Sequence, residues 1–176
     1  MSGARPHWWP AYIGIGSNLE SPADQVRQAF DDLANLRESQ LQRTSGLYRS
    51  APMGQQDQPD FVNAAAALLT RLDARKLLIE LKKIEDGHGR DRSSGRWGPR
   101  TMDLDLLVFG DQSINSEGLV VPHPGIAERN FVLLPLDELA PHLQVPGLAS
   151  VHNLTSALAA REGGRARIER ISSSNP

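Results

Sequence analysis

Hydrophobic and polar positions along the chain follow two periods, which predict strands and helices in a definite order. Strands are indicated where short apolar or β-favouring runs lie between turn residues, and helices where apolar residues recur every three or four positions. The predicted strands cover residues 11–16, 41–48, 61–69, 102–109 and 166–171. The predicted helices cover residues 22–36, 74–86, 132–139 and 154–160, and the segment 49–60 is predicted as a loop.

The boundaries of the first two helices have their own residue signals. Ser21 followed by Pro22 is typical of a helix start, and Asp73 is expected to cap the second helix. The run Gly87-His88-Gly89 is expected to end it. The segment 61–69 is ambiguous, because its four consecutive alanines favour a helix whereas its short length favours a strand, which we predict.

The order of these elements predicts the fold class. Strand, helix, strand, strand, helix, strand is the order of the ferredoxin-like fold, an antiparallel sheet with two helices on one face. We therefore predict an α+β, ferredoxin-like antiparallel sheet with helices packed on it. A chain of 176 residues fits a single domain, and we place it at 11–171, between an N-terminal extension at 1–10 and a C-terminal tail at 172–176.

Composition narrows the classes of function. The chain has no cysteine, which excludes disulfides, thiolate metal sites and thiol catalysis. Its net charge of −2 gives no general attraction to nucleic acid or to anionic membranes. The first residues lack the apolar stretch of a secretory signal, and no apolar run approaches membrane-span length. We expect a cytoplasmic monomer without nucleic-acid or membrane partners.

Asp103 and Asp105 stand out within an apolar predicted strand, where aspartate is unfavourable. Strand residues two apart point to the same face, with Cα atoms roughly 6.5 Å apart. Two carboxylates at that spacing suit a pair of Mg²⁺ ions and would repel each other without a cation. The alternative is a solvent-facing edge strand with salt-bridged acids.

The segment before this strand is rich in arginine: Arg90, Arg92, Arg96 and Arg100. Beside a carboxylate–metal pair, such residues favour a phosphoryl-transfer site that closes over its ligand. A solvated basic loop is the simpler alternative. Trp97 either anchors this segment to the core or stacks on a flat ring.

Two further residues are candidates on chemical grounds. Asn63 carries an amide that both donates and accepts hydrogen bonds, which suits the edge of a heterocycle. His123 stands between two prolines, which would hold it rigidly, although a lone histidine is more often a structural hydrogen-bonding residue.

The segment 96–107, RWGPRTMDLDLL, resembles the signature of the 6-hydroxymethyl-7,8-dihydropterin pyrophosphokinase family of folate biosynthesis. The resemblance extends over residues 12–141. Its further parts are Ile15-Gly16-Ser17-Asn18, Tyr48-Arg49, Pro52-Met53-Gly54, Gln58 to Asn63, and Val121-Pro122-His123.

This resemblance implies a ferredoxin-like fold and transfer of the pyrophosphoryl group of ATP to the pterin hydroxymethyl oxygen, with release of AMP. It implies Asp103 and Asp105 as ligands of two Mg²⁺ ions and Arg90 and Arg92 as further catalytic residues. The implied pterin residues are Ser50, Ala51, Met53, Phe61, Asn63, Trp97 and Phe131. The implied ATP residues are Lys82, Glu85, Arg92, Trp97, Arg100, Leu106, His123 and Arg129.

The sequence departs from the family pattern at four places. Ser50-Ala51-Pro52 replaces a frequent Thr-Pro-Pro run, and Phe61 replaces a frequent tyrosine. Ser93 stands where some members carry lysine, and Pro124 where others place an aromatic residue. The same acids and arginines would also suit a metal-dependent phosphohydrolase or nucleotidyltransferase. An RNA-binding ferredoxin-like module is disfavoured by the low aromatic content of 5% and the negative net charge.

Overall fold

The structure is a computed structural model that describes residues 7–54, 57–89, 101–162 and 168–172. The strands are β1 (Trp9–Ser17), β2 (Ser39–Thr44), β3 (Tyr48–Ser50), β4 (Phe61–Thr70), β5 (Asp103–Phe109), β6 (Ile114–Ser116), β7 (Leu119–Val121) and β8 (Ile168–Arg170). The helices are α1 (Pro22–Ala34), α2 (Ala74–Gly87), α3 (Asn130–Leu139) and α4 (Val151–Glu162), with a 3₁₀ turn at Ile126–Glu128.

The main sheet has the strand order β5-β1-β4-β3-β8, and β2 pairs with the other end of β4. Every pairing in this sheet is antiparallel. β1 and β4 occupy the centre, each lying between neighbours, which is the arrangement expected for the ferredoxin-like fold. The fold class predicted from the element order is confirmed, and so is the strand at 61–69.

Alternation along the strands divides the core into two layers. Ile13, Ile15 and their equivalents on β4 and β5 pack against α1 and α2. The opposite face packs against α3 and α4 through a second cluster that includes Leu107, Leu133 and Leu136. Four helices therefore cover the sheet, two on each face, whereas the sequence order alone predicted helices on one face only. The two aspartates of β5, which are the predicted metal ligands, lie on the α3–α4 face.

The two predicted helix starts differ in how they are held. The Asp73 carboxylate accepts a hydrogen bond from the Lys76 backbone N–H at 2.9 Å, which confirms the predicted cap and lowers the pKa of Asp73. Ser21 occupies the position before α1, but its side chain makes no capping hydrogen bond and its backbone is left-handed, with φ of 60°. Ser21 therefore does not cap α1 through its side chain, whereas Pro22 does begin the helix.

The predicted strand at 41–48 and loop at 49–60 need correction. Two strands occupy this region, β2 and β3, and Ser45 to Leu47 separate them. β3 includes Arg49 and Ser50, which were predicted as loop. The β6–β7 hairpin has no counterpart among the predicted strands. β1 begins at Trp9, so two residues of the expected extension belong to the sheet, where Trp9 packs on Phe109 with ring centroids 5.6 Å apart.

Within the described ranges, no helix combines the length and the apolar character that a membrane crossing requires.

Candidate active site

A row of residues from three neighbouring strands forms the floor of the candidate site. Gly16 on β1 lies opposite Asp103 on β5 and opposite Asn63 on β4. Partners in register share a face, so Asp103 and Asn63 project from the α3–α4 face with only a glycine between them. Their strands are two inter-strand spacings apart, about 10 Å. We call Asp103 and Asp105 the carboxylate side, and Asn63 and Ser50 the amide side.

The carboxylate side lies on the edge strand of the sheet. Asp105 pairs with Gly14, two residues before Gly16, so both carboxylates share one face, as the alternation predicted. Both side chains are half-buried. The edge position was part of the alternative interpretation of these acids. However, both faces of β5 are covered by core clusters, and Leu104 and Leu107 are buried.

Glu85 holds the backbone between the two aspartates. Its side chain is 3% exposed, and its Oε1 accepts a hydrogen bond from the Leu104 N–H at 2.8 Å. A carboxylate from α2 thus satisfies an outward-facing donor of the edge strand, which would otherwise be a buried unpaired group. In the described contacts, Glu85 supports the backbone of β5 between the two aspartates.

His123 lies beside Asp105, and its hydrogen bonds fix the orientation of its ring. Its backbone N–H donates to the Leu107 carbonyl at 2.9 Å, and its Nδ1 accepts from the Gly125 N–H at 3.0 Å. Because Nδ1 is an acceptor, the ring proton is on Nε2, which lies 4.0 Å from an Asp105 carboxylate oxygen. Arg129 packs closely over Gly125, where a Cβ would come 2.6 Å from the Arg129 Nε.

The amide side is built from buried neutral groups. Asn63 is 4% exposed, and its Nδ2 donates to the Ser50 Oγ at 2.8 Å. The Asn63 Oδ1 faces β1, only 3.3 Å from the place where a Cβ of Gly16 would lie. The amide is therefore fixed with one N–H toward β3 and its carbonyl toward the row's centre.

A second buried asparagine holds the loop next to Asn63. The Asn18 Nδ2 donates to the Gln58 Oε1 and to the Pro59 carbonyl, each at 3.0 Å. Asn18 is 2% exposed and directly follows β1. Asn18 and Gln58 both belong to the resemblance, but neither had a predicted role. The signal that could have identified Asn18 is an asparagine directly after a buried strand.

The remaining predicted site residues differ in their exposure and in the face of the sheet on which they lie. Phe61 begins β4 and is half-buried, and Phe131 lies in the first turn of α3 and packs against the second cluster. Ala51, Met53 and Lys82 are exposed. The Leu106 side chain is 4% exposed and lies in the α1–α2 core, on the opposite face from the two aspartates. Any contact of Leu106 with a ligand on the aspartate face would therefore come from its backbone.

Arg90, Arg92, Trp97 and Arg100 lie outside the described residues, as does the predicted closing segment around Ser93. Among residues that the structure does describe, no three acidic or histidine side chains gather into a metal-binding group. The described part of the carboxylate side offers two carboxylates.

A cluster of polar side chains next to the amide side was not predicted. The Tyr48 hydroxyl donates to the Glu138 Oε2 at 2.6 Å, and the Glu138 Oε1 accepts from the Gly46 N–H at 3.1 Å. Arg170 donates to both Glu138 oxygens, at 3.0 and 3.3 Å. We call Tyr48, Glu138, Arg170 and the Gly46 N–H the Glu138 cluster.

The carboxylate side and the amide side, which lie on either side of β1, suit different kinds of ligand. The half-buried carboxylates suit a hard cation and an anionic ligand, since Mg²⁺ takes oxygen ligands and commonly keeps some from water and substrate phosphates. The buried, oriented amide suits a flat heterocycle that offers donors and acceptors along one edge.

Comparisons with known proteins identify the family of this chain. The family model described as 7,8-dihydro-6-hydroxymethylpterin-pyrophosphokinase (HPPK) matches residues 12–141. The 2-amino-4-hydroxy-6-hydroxymethyldihydropteridine pyrophosphokinase of Haemophilus influenzae is 44% identical over 149 residues, covering 85% of this chain and 92% of that protein. The enzyme of the same name from Pseudomonas aeruginosa is 48% identical over 135 residues, covering 77% of this chain and 83% of that protein.

Solved structures support the fold. The crystal structure of Plasmodium falciparum HPPK-DHPS A437G with SDX-DHP superposes with a TM-score of 0.73 at 14% sequence identity. The match covers 93% of this chain, which spans 48% of that longer chain. With the family model covering most of the sequence and relatives above 40% identity over most of it, the chain belongs to the 7,8-dihydro-6-hydroxymethylpterin-pyrophosphokinase family.

Proposed function

We propose that this protein is the pyrophosphokinase that transfers the β,γ-pyrophosphoryl group of ATP to the hydroxymethyl oxygen of 6-hydroxymethyl-7,8-dihydropterin in folate biosynthesis. The pterin oxygen forms a bond to the β-phosphorus and loses its proton to solvent. The bond between the β-phosphorus and the oxygen that bridges the α- and β-phosphorus atoms breaks, and that oxygen leaves on AMP. Membership of the family supports this transferase activity, with ATP as the co-substrate.

The observation that carries the proposal is the row Asp103–Gly16–Asn63. It places a phosphate-suited group and a heterocycle-suited group on one face, with a bare glycine between them. A pterin held by Asn63 would extend its substituent over Gly16 toward the carboxylate side. Such alignment matters most in phosphoryl transfer, because the loose transition state needs positioning and charge stabilisation more than a strong base.

Asp103 and Asp105 are the proposed ligands of two Mg²⁺ ions. The donor set fits, since two oxygen ligands on one face leave the remaining positions for water and the triphosphate. When bound there, magnesium would neutralise phosphate charge and polarise the phosphoryl oxygens. The His123 Nε2–H, 4.0 Å from Asp105, would orient that carboxylate or meet a phosphate oxygen.

The other proposed contacts follow the two sides of the row. The proposed pterin contacts are Ser50, Ala51, Met53, Phe61, Asn63, Trp97 and Phe131. Arg90 and Arg92 would stabilise transition-state charge. The proposed ATP contacts are Lys82, Glu85, Arg92, Trp97, Arg100, Leu106, His123 and Arg129, where Glu85 acts through the Leu104 backbone.

The direct test measures AMP with and without the pterin. Purified protein is incubated with Mg²⁺ and ATP, and AMP is quantified by chromatography, with the pyrophosphorylated pterin identified by mass. AMP that forms only when the pterin is present supports transfer. Release of phosphate or AMP without the pterin would instead identify a hydrolase and overturn the proposal.

The number of metal ions can be tested in the same assay. With ATP saturated as its Mg²⁺ complex, a second bound ion predicts that the rate rises further as free Mg²⁺ is added. A rate that is already maximal when only the ATP complex is present would contradict two ions.

We also propose that the enzyme acts as a monomer in the cytoplasm. Both sides of the row belong to one chain, so a single copy carries the proposed contacts for both substrates. The absence of cysteine from the sequence suits a reducing compartment.

A further inference from the structure

The Glu138 cluster connects three parts of the chain that are far apart in sequence. Tyr48 lies on β3, Glu138 near the end of α3, and Arg170 on β8. β8 pairs only with β3 among the strands of the described sheet, with Tyr48 opposite Arg170. The matched family region ends at residue 141, so β8 lies beyond it.

Each of the two other elements in this cluster also carries a residue of the proposed pterin contacts. β3 carries Ser50, two residues from Tyr48, and the Ser50 hydroxyl accepts the hydrogen bond that orients Asn63. α3 carries Phe131 at its first turn, where the ring packs against the cluster containing Leu107 of β5. α3 packs on β4 and β3, and Glu138, near the C-terminal end of α3, joins it to β3 and β8.

The contacts within the cluster are directional and join all three elements. The Arg170 guanidinium reaches both oxygens of Glu138, and a charged pair in this two-contact form has defined geometry. The guanidinium also covers Gly46, where a Cβ would come 2.8 Å from Arg170. Burial and the bond to Glu138 raise the pKa of Tyr48 to about 12, so the hydroxyl remains a donor at physiological pH.

We infer that the Glu138 cluster sets the position of α3 relative to β3, and thereby the separation between the Asn63 amide and the Phe131 ring. Tyr48, Glu138 and Arg170 are then positioning residues for pterin binding. The inference rests on the proposed function, because it assigns Asn63 and Phe131 to the pterin. It makes the C-terminal strand β8 a determinant of pterin affinity.

The test measures KM for the pterin and for ATP separately in the full chain. The variants are Tyr48→Phe, which removes only a hydroxyl, and Arg170→Met, which keeps the aliphatic stem. Two matched controls change similar groups outside the cluster. Tyr12→Phe removes a hydroxyl on the same face of the sheet, and Glu169→Gln changes a charge on the same strand.

We expect each variant to raise KM for the pterin about fivefold, the effect of roughly one lost hydrogen bond, with KM for ATP unchanged. The double variant should raise it by less than the product of the two, because both residues act through Glu138. Arg170→Lys should restore only part of the affinity, since lysine keeps the charge but not the two-contact geometry. Both controls should behave like the unaltered protein.

The outcomes separate this inference from the proposed function. KM does not depend on the amount of folded enzyme, so partial unfolding lowers only the apparent kcat. An unchanged KM for the pterin in both variants overturns the inference, even if the melting temperature falls. An equal rise of KM for both substrates overturns it as well. If the unaltered protein forms no pterin-dependent AMP, the proposed function fails and the inference fails with it.

Discussion

The amide side and the carboxylate side share one face of the sheet but are built on opposite principles. On the amide side, Asn63 and Ser50 are buried, uncharged and bonded to each other. On the carboxylate side, Asp103 and Asp105 are half-buried acids on an edge strand. A neutral ring is recognised by fixed donors and acceptors, whereas a charged triphosphate arrives with its own counter-ions. Under the proposed function, the amide side would therefore recognise the pterin and the carboxylate side the metal-bound triphosphate.

This difference predicts which substrate each side controls. A change on the carboxylate side should lower the rate while the pterin still binds. A change on the amide side should weaken pterin binding while chemistry on the bound substrate continues. A variant in which the other parameter changes would show that the two sides are not separate in this way.

The largest effect is expected for Asp103→Ala or Asp105→Ala. Either change removes a proposed metal ligand and should lower kcat by about three orders of magnitude. Pterin affinity, measured by calorimetry, should stay near that of the unaltered protein. Asp111→Asn, which changes an exposed acid just beyond β5, is the matched control. Near-normal turnover in either alanine variant would remove the basis for the metal assignment.

Arg92→Ala should lower kcat by about a hundredfold, the typical effect of losing one donor to transition-state charge. KM for ATP should change little, because this contact is expected to strengthen in the transition state. Steady-state kinetics with both substrates varied separates the two parameters. If the variant differs only in ATP binding, Arg92 belongs to ground-state recognition instead.

Asn63→Ala should raise KM for the pterin by about tenfold to a hundredfold, since it leaves the pterin edge without partners. The KM for ATP should remain unchanged, and kcat at saturating pterin should fall much less than in the aspartate variants. A variant that loses kcat with normal pterin binding would show that the two sides are not separate.

The smallest expected effect concerns stability at high pH. The pKa of Tyr48 is raised from 10.0 to about 12, so above pH 10 the unfolded chain loses this proton first. The stabilisation is complete below pH 10 and is lost as pH rises toward 12. In urea unfolding, Tyr48→Phe should therefore lose less stability between pH 9 and about 11 than the unaltered protein. Parallel curves for the two proteins would contradict this.

The fold and the carboxylate side followed from local patterns in the sequence. Alternation placed Asp103 and Asp105 on one face, and Asp73 capped its helix as predicted. Both features depend on neighbours within a few residues. The separation of β2 from β3 was missed although Ser45-Gly46 is a turn dipeptide, because the polar run at 41–48 was interpreted as one strand.

Long-range contacts could not be predicted in this way. Tyr48 and Glu138 are 90 residues apart, and Glu138 and Arg170 are 32 apart. Nothing in the periodicity of α3 distinguishes Glu138 from an ordinary exposed acid. The fixed orientation of Asn63 was similarly invisible, because it depends on the hydroxyl of Ser50, a residue that the turn signals placed in a loop.

Gly16 gives the row its open centre, and at this position we expect the requirements of folding to differ from those of substrate binding. Its backbone is ordinary strand, so alanine would fit the sheet, but the added methyl carbon would lie 3.3 Å from the Asn63 carbonyl oxygen. A library of variants screened only for folding would therefore accept alanine at this position. We expect the same library, screened for growth without added folate, to select against alanine, because the added methyl carbon would crowd the Asn63 amide.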